Sequence, residues 1–320
     1  MIDLTELRIG AGGWSYFNIP HRDRLHAYSR VFDFVEVNST FYRYPSSEIV
    51  MSWRNRASTS FEFGVRCHRD LTHRYLLDPR EESYQVLKKM LSICGLLRAE
   101  TLILVTPATM EFTSSRLDAI ESFLHSADTG NVQFVWEIRR PSTLDYDPRL
   151  LRLVKDAGIV HCVDISKHET PMTKSDLLYT RLFGLGIQNV YQYTDAELTN
   201  IHKVATDSGF RKAVLSFHGT RMYKDASRLK FFEQTGQFPR VTESIGLESL
   251  GEVLAEDVRL PATKRELLMQ QGWKVVDITA RRRVKASELL RQLVEGTYSS
   301  IEQILDTLGR AGSLKNLPTA

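Results

Sequence analysis

Glu36 and Asn38 interrupt an apolar, β-branched run that reads Phe34-Val-Glu-Val-Asn. Side chains alternate along a strand, so these two point the same way. A buried carboxylate is costly unless something pairs with it. The same placing at every second residue recurs at the ends of other apolar runs: Arg66 with His68, Glu137 with Arg139, and Ser216 with His218. Asp164 closes a further run, and Arg181 lies late in another. Glu36 and Glu137 suit general acid and base work if their surroundings push their pKa values apart. Arg66, Arg139 and Arg181 suit an anion, phosphate first, through paired N–H donors. His68, His73 and His218 can shuttle protons or ligate a metal. Trp14, Tyr16 and Tyr42 offer flat faces for a sugar or a base. Glu36, Glu137 and His73 are therefore the candidate catalytic residues, and the others are candidates for binding. Together they point to hydrolase or lyase chemistry on a phosphate- or sugar-containing substrate, nucleic acid included.

Three alternatives compete with that reading. Glu36–Arg66, and Glu137 with Arg139 or Arg181, can be simple ion pairs that close a core. Glu36, Glu137, Asp164, His68 and His218 can collect a divalent metal, although three nearby arginines oppose a cation; no cofactor is favoured. A non-catalytic ligand- or nucleic-acid-binding protein, whose basic C-terminal module docks a partner, is the third. Under the enzyme reading, Glu36→Gln and Glu137→Gln abolish activity and leave folding intact.

The elements that position these residues follow one rhythm. Apolar strand-like runs near 7–11, 33–38, 61–67, 101–106, 132–138, 159–165, 177–183 and 213–218 alternate with amphipathic helical stretches. The helices fall near 22–30, 46–57, 82–98, 115–126, 147–157, 195–207 and 222–234. Alternation of this kind implies a parallel sheet, since parallel neighbours need crossover connections. Eight such units fit an α/β fold of the (β/α)8 TIM-barrel type better than an open doubly wound sheet. In a barrel, active sites form at the carboxyl ends of the strands, which is where the polar residues fall. Gly10, Gly12 and Gly13, at and just past the end of the first strand, fall short of a dinucleotide-binding Gly-x-Gly-x-x-Gly pattern. The expected domains are a barrel over 1–245 and a small, mostly helical module over 258–312. In that module Thr263 and Glu266 have capping-box spacing, a short strand follows Gly272, and helices fall near 286–295 and 299–309. The tail 311–320 is expected to fray.

Charge is unevenly spread. Residues 259–320 hold 11 Lys/Arg against 6 Asp/Glu, whereas the rest of the chain is slightly acidic. The densest basic run is Arg281, Arg282, Arg283 and Lys285. It reads as a solvated helix face or loop, or as a contact for nucleic-acid phosphates or a partner protein. Three scattered cysteines, with no paired spacing, fit reduced thiols and a cytoplasmic setting. No apolar run reaches the ~18 residues of a membrane span, and no signal peptide is read at the start.

Four ordered segments carry a family resemblance. They are Gly12-Gly-Trp-Ser-Tyr, Val35-Glu-Val-Asn-Ser-Thr-Phe-Tyr-Arg-Tyr-Pro, Phe61-Glu-Phe-Gly-Val-Arg-Cys with Leu71-Thr-His-Arg, and Trp136-Glu-Ile-Arg-Arg-Pro-Ser. Over roughly residues 8–240 they resemble the domain of unknown function 72 family, also called YecE-like proteins. The resemblance implies a TIM barrel and leaves the reaction open. It carries over Glu36, Asn38, His73, Glu137 and Arg139. It does not carry over strands four and eight, where Val105-Thr-Pro-Ala and Ser216-Phe-His-Gly depart from the family pattern.

Overall fold

A computed structural model of the chain describes residues 5–139, 146–207 and 209–317. Arg140, Pro141, Ser142 and Thr143, which belong to the fifth-strand motif and its flank, lie outside the described residues. The strands are β1 (Glu6–Ala11), β2 (Phe34–Val37), β3 (Glu62–Arg66), β4 (Thr101–Thr106), β5 (Gln133–Ile138), β6 (Val160–His161), β7 (Leu177–Leu182) and β8 (Lys212–Phe217). Between and after them run α1 (Arg24–Val31), α2 (Ser47–Arg56), α3 (Glu81–Leu97), α4 (Ser114–Ser126), α5 (Pro148–Asp156), α6 (Asp195–Asp207) and α7 (Met222–Thr235). All eight strands are parallel, in the order β6-β5-β4-β3-β2-β1-β8-β7.

The ring closes between β6 and β7 through a single bridge, Val163 to Thr180. There Val163 N–H donates to Tyr179 O at 3.4 Å, and Arg181 N–H donates to Val163 O at 3.2 Å. The sixth run is shorter than the expected 159–165. Asp164 caps a 3₁₀ turn over Ile165–Lys167, so the chain leaves the sheet early. Phe34, Ile103, Val135, Val160, Tyr179 and Val214 form a buried cluster of inward-facing side chains.

Contacts divide the chain into two compact units. The first runs through Leu182 and resumes over Lys203–His218, and it holds all eight barrel strands. The second comprises Phe183–His202 and Gly219–Ala320. Beyond α7 it adds α8 (Leu247–Ala255), β9 (Ala262–Thr263), α9 (Lys264–Gln271), β10 (Val275–Thr279), β11 (Arg282–Lys285), α10 (Ala286–Leu290), β12 (Thr297–Tyr298) and α11 (Ile301–Arg310). Thr263 and Glu266 do form the capping box that opens α9.

Three expectations for this region are corrected. Helix α8 lies between the two expected domains, over residues for which no element is expected. Gly251 within it lets Leu305 of α11 approach: a Cβ there would sit 3.0 Å from Leu305 Cδ1. The basic run is neither helix nor loop, since Arg282–Lys285 pairs antiparallel with β10. Arg283 is turned inward onto Asp195 at 3.2 Å and Asp277 at 3.3 Å. Lys285 bonds Gln192 O and lies 3.8 Å over the Tyr191 ring; burial pushes its ammonium down to about 8. The tail does not fray over 311–317, because Ser313 and Leu317 are buried and Leu317 joins the core of Leu250, Leu267, Val276 and Ile304.

Candidate functional site

The barrel turns from apolar to polar at Tyr179. Its ring belongs to the apolar cluster, while its hydroxyl donates to Glu36 Oε2 at 3.2 Å. Glu36 follows Phe34 by two residues on β2, so it points the same way, into the barrel, one layer nearer the carboxyl ends. Arg181 and Glu137 stand likewise two residues after Tyr179 and Val135. His218 follows β8 and lies within reach of the same group.

Arg181 is the hub. Its Nε–H donates to Glu36 Oε2 at 3.1 Å, and its Nη1 donates to Glu137 Oε2. Glu137 accepts a second guanidinium through Oε1, from Arg139 Nε at 2.6 Å. Glu36 and Arg181 are both buried, whereas Arg139 keeps 42% of its side chain exposed. His218 Nε2 sits 3.3 Å from Glu36 Oε2 and 3.0 Å from Ser216 Oγ. Burial, then Arg181, lower the His218 pKa, so its contact with Glu36 is a hydrogen bond from a neutral ring rather than an ion pair.

Burial alone would raise both carboxyls. For Glu36 it is outweighed by Arg181, with His218 and Arg66 adding to it, and the pKa falls well below the usual carboxylate range. For Glu137, Arg181 and Arg139 overcome burial and bring it to about 2. Both are therefore ionised at neutral pH. Their values are not pushed apart, so the expected acid and base pair is not made by these two residues.

These shifts set an acid limit. A depressed carboxyl stabilises the fold above its unfolded pKa, and the gain is lost as pH falls through the folded value. For Glu137 the window runs from the ordinary 4.5 down to about 2. His218, held neutral, adds a penalty once pH drops below its ordinary 6.5. Urea midpoints measured between roughly pH 2 and 6 should fall steeply toward acid, and Glu137→Gln should flatten the slope. An unchanged slope in the variant would remove Glu137 from this role.

Arg66 closes β3 and faces the same mouth. Its Nη1 donates to Asn38 Oδ1 at 3.3 Å, and its guanidinium lies 4.0 Å over the Phe41 ring. Its Nε is buried without a hydrogen-bond partner among the described residues. Burial, then Arg181, lower its pKa to about 10. Asn38 opens a 3₁₀ turn over Asn38–Phe41 and donates to Gly12 O at 2.9 Å. A Cβ on Gly12 would fall 2.3 Å from His218 Nδ1 and 2.7 Å from Asn38 Nδ2. Gly12→Ala should therefore displace both and cost about 1–3 kcal/mol, read as a shift in the unfolding midpoint. An unperturbed midpoint would show that the packing there yields.

His73 sits in a π-helical turn over Asp70–Arg74, a few residues beyond β3. Its Nδ1 is 2.9 Å from Thr72 Oγ1 and its ring meets Phe41 edge-on at 5.0 Å. Burial, then Arg66 and Arg139, lower its pKa, so the ring is neutral near pH 7. No hydrogen-bond partner reaches its Nε2 among the described residues.

Other candidates are placed elsewhere. His68 lies past the end of β3, stacks on Tyr44 at 4.1 Å and accepts from Asp70 N–H at 3.2 Å through Nδ1. That acceptor role and its lowered pKa make it neutral, so the nearby Asp70 carboxylate at 3.3 Å is not an ion-pair partner. It does not share the Arg66 face as expected. Asp164 is occupied as the cap of its turn, accepting from Ser166 N–H at 3.1 Å. Trp14 packs edge-on against Trp53 at 5.3 Å, while Tyr16 and Tyr42 are 86% and 63% exposed. Among the described residues, no three His, Cys, Asp or Glu side chains converge as a metal site. Sequence reasoning missed Tyr179, which reads as core in an apolar strand, and Phe41, which reads as part of a loop.

The profile of a family described as protein of unknown function DUF72 matches residues 8–236. No curated protein matches the chain. A DUF72 family protein from Thermotoga maritima shares 17% identity at TM-score 0.56, covering 72% of this chain and 99% of its own. One from Enterococcus faecalis shares 16% identity at TM-score 0.55, covering 72% and 97% respectively. These likenesses bear on the fold. No helix among the described residues is long and apolar enough to cross a membrane.

Proposed function

The chain belongs to the DUF72 family of proteins of unknown function, and from that premise we propose a barrel-mouth enzyme of the hydrolase or lyase type, acting on a phosphate-bearing substrate. One observation carries this reading. Glu36 and Glu137 are matched by Arg181 and Arg139, which leaves Arg66 as a partly buried cation with no carboxylate bonded to it among the described residues. An unmatched guanidinium at the carboxyl end of a barrel strand is suited to hold an anion. Arg139, half free of Glu137, can close on the same group.

In this reading the carboxylates do not move protons. They hold Arg181 and Arg139 in place, and Glu36 Oε1, which lacks a hydrogen-bond partner among the described residues, can accept from a hydroxyl or a water. His73 carries the proton, because its neutral ring has Nε2 available and the two arginines bring the anion beside it. A phosphorylated sugar or nucleoside would supply both the anion and the hydroxyl.

The test is turnover of a panel of phosphorylated sugars and nucleotides. At least one should react, with His73→Asn lowering kcat by about 10²–10⁴ and Arg139→Ala chiefly raising KM. Full kcat in His73→Asn on a substrate that turns over would remove the histidine from its role. A wild-type protein that binds neither phosphate nor any phosphorylated compound at the mouth would remove the reading.

A further inference from the structure

A second basin opens at the other end of the same barrel. It has a volume of about 880 Å³ and is bordered by Glu62, Thr101, Gln133, Leu177 and Lys212, the first residues of five strands. Its floor is apolar, formed by Phe34 and Val214 of the buried cluster and by Leu177 packed against it. Its rim is cationic, with seven Lys and Arg side chains against Glu62, Glu100 and Asp176.

Ordinary structural roles account for part of this charge. Arg8 and Lys212 share Glu62 at 2.6 and 2.7 Å. Arg54 donates to Phe61 O at 2.8 Å, and burial, then the charge of Arg98, depress its pKa. Arg98 and Lys155 lie at the carboxyl ends of α3 and α5, where a cation complements the helix dipole. Lys174 and Arg211 have neither role: they are exposed, and neither side chain forms an ion pair among the described residues. The rim thus keeps a formal excess of four positive charges around a concave space. Like charges gathered in this way repel one another and attract anions.

We propose that this amino-terminal face is a second ligand site, separate from the mouth, for a nucleotide-sized molecule with a flat apolar body and two or more phosphates. The volume lies within the range of small-molecule sites, about 300–1,000 Å³. The apolar floor would take the flat body and the rim the phosphates. A surface serving a long nucleic-acid strand would instead be expected to run as a basic stripe without an enclosed apolar floor.

Isothermal titration of the full chain with ATP, inorganic tripolyphosphate and a single-stranded oligonucleotide tests this. ATP should bind more tightly than tripolyphosphate. With the mouth disabled by Arg66→Met, ATP should still bind, and adding Lys174→Glu and Arg211→Glu to that variant should then weaken ATP binding at least tenfold. If the combined variant folds poorly, Arg98→Glu added to Arg66→Met should weaken ATP binding in the same direction. The proposal is overturned if ATP does not bind, if Arg66→Met abolishes binding, or if the rim substitutions leave it unchanged. It is also overturned if tripolyphosphate binds as tightly as ATP, or if only the oligonucleotide binds.

Discussion

Glu36→Gln should lower the stability of the protein by about 3–5 kcal/mol, a loss large enough to unfold many domains of ordinary stability. The substitution changes little in shape. It removes the charge that Arg181 Nε faces at 3.1 Å, in a place where both side chains are almost wholly buried. An arginine stripped of one carboxylate cannot reach water there, so the penalty of its burial reappears. Glu137→Gln should cost less, because Glu137 keeps 15% of its side chain exposed and its second partner, Arg139, is half in solvent. Chemical denaturation of both variants checks the order. Equal small losses would show that the Arg181 hub is well solvated. The expectation that both glutamine variants fold as the parent does gives way here, because the carboxylates belong to the packing of the barrel as well as to its mouth.

Arg66→Met should act in the opposite sense on stability and remove binding. Its pKa lies near 10 instead of 12.5, so its surroundings disfavour the charge by roughly 3 kcal/mol. Loss of the stacking over Phe41 takes back about 1 kcal/mol. The variant should therefore melt at or above the wild-type temperature, while phosphate affinity at the mouth falls at least tenfold. A barrel that loses stability by more than about 2 kcal/mol on this change would show that Arg66 is there for folding.

The barrel was legible because parallel strands buried on both sides read as apolar runs, and because β2, β3, β5, β7 and β8 keep their side chains on a strict alternation. Glu36, Glu137 and Arg181 were found by that alternation, and they do meet. It fails once the strand ends. His68 and Asp164 were assigned to the mouth as if their strands continued. The turns that begin there send His68 to Tyr44 and fix Asp164 as a cap. Tyr179 was hidden for the reverse reason, since an aromatic residue in an apolar strand gives no sign that its hydroxyl will meet a carboxylate 143 positions away. The inward turn of Arg283 was illegible too, because its partners Asp195 and Asp277 come from distant segments.

The central claim is that the mouth holds a phosphate through Arg66 and Arg139. A crystal of the protein grown with inorganic phosphate tests it most directly. The expected map has a phosphate within hydrogen-bond reach of both guanidiniums and beside His73 Nε2. A mouth free of phosphate at saturating concentration, or phosphate bound only at the Lys174 and Arg211 rim, would contradict it.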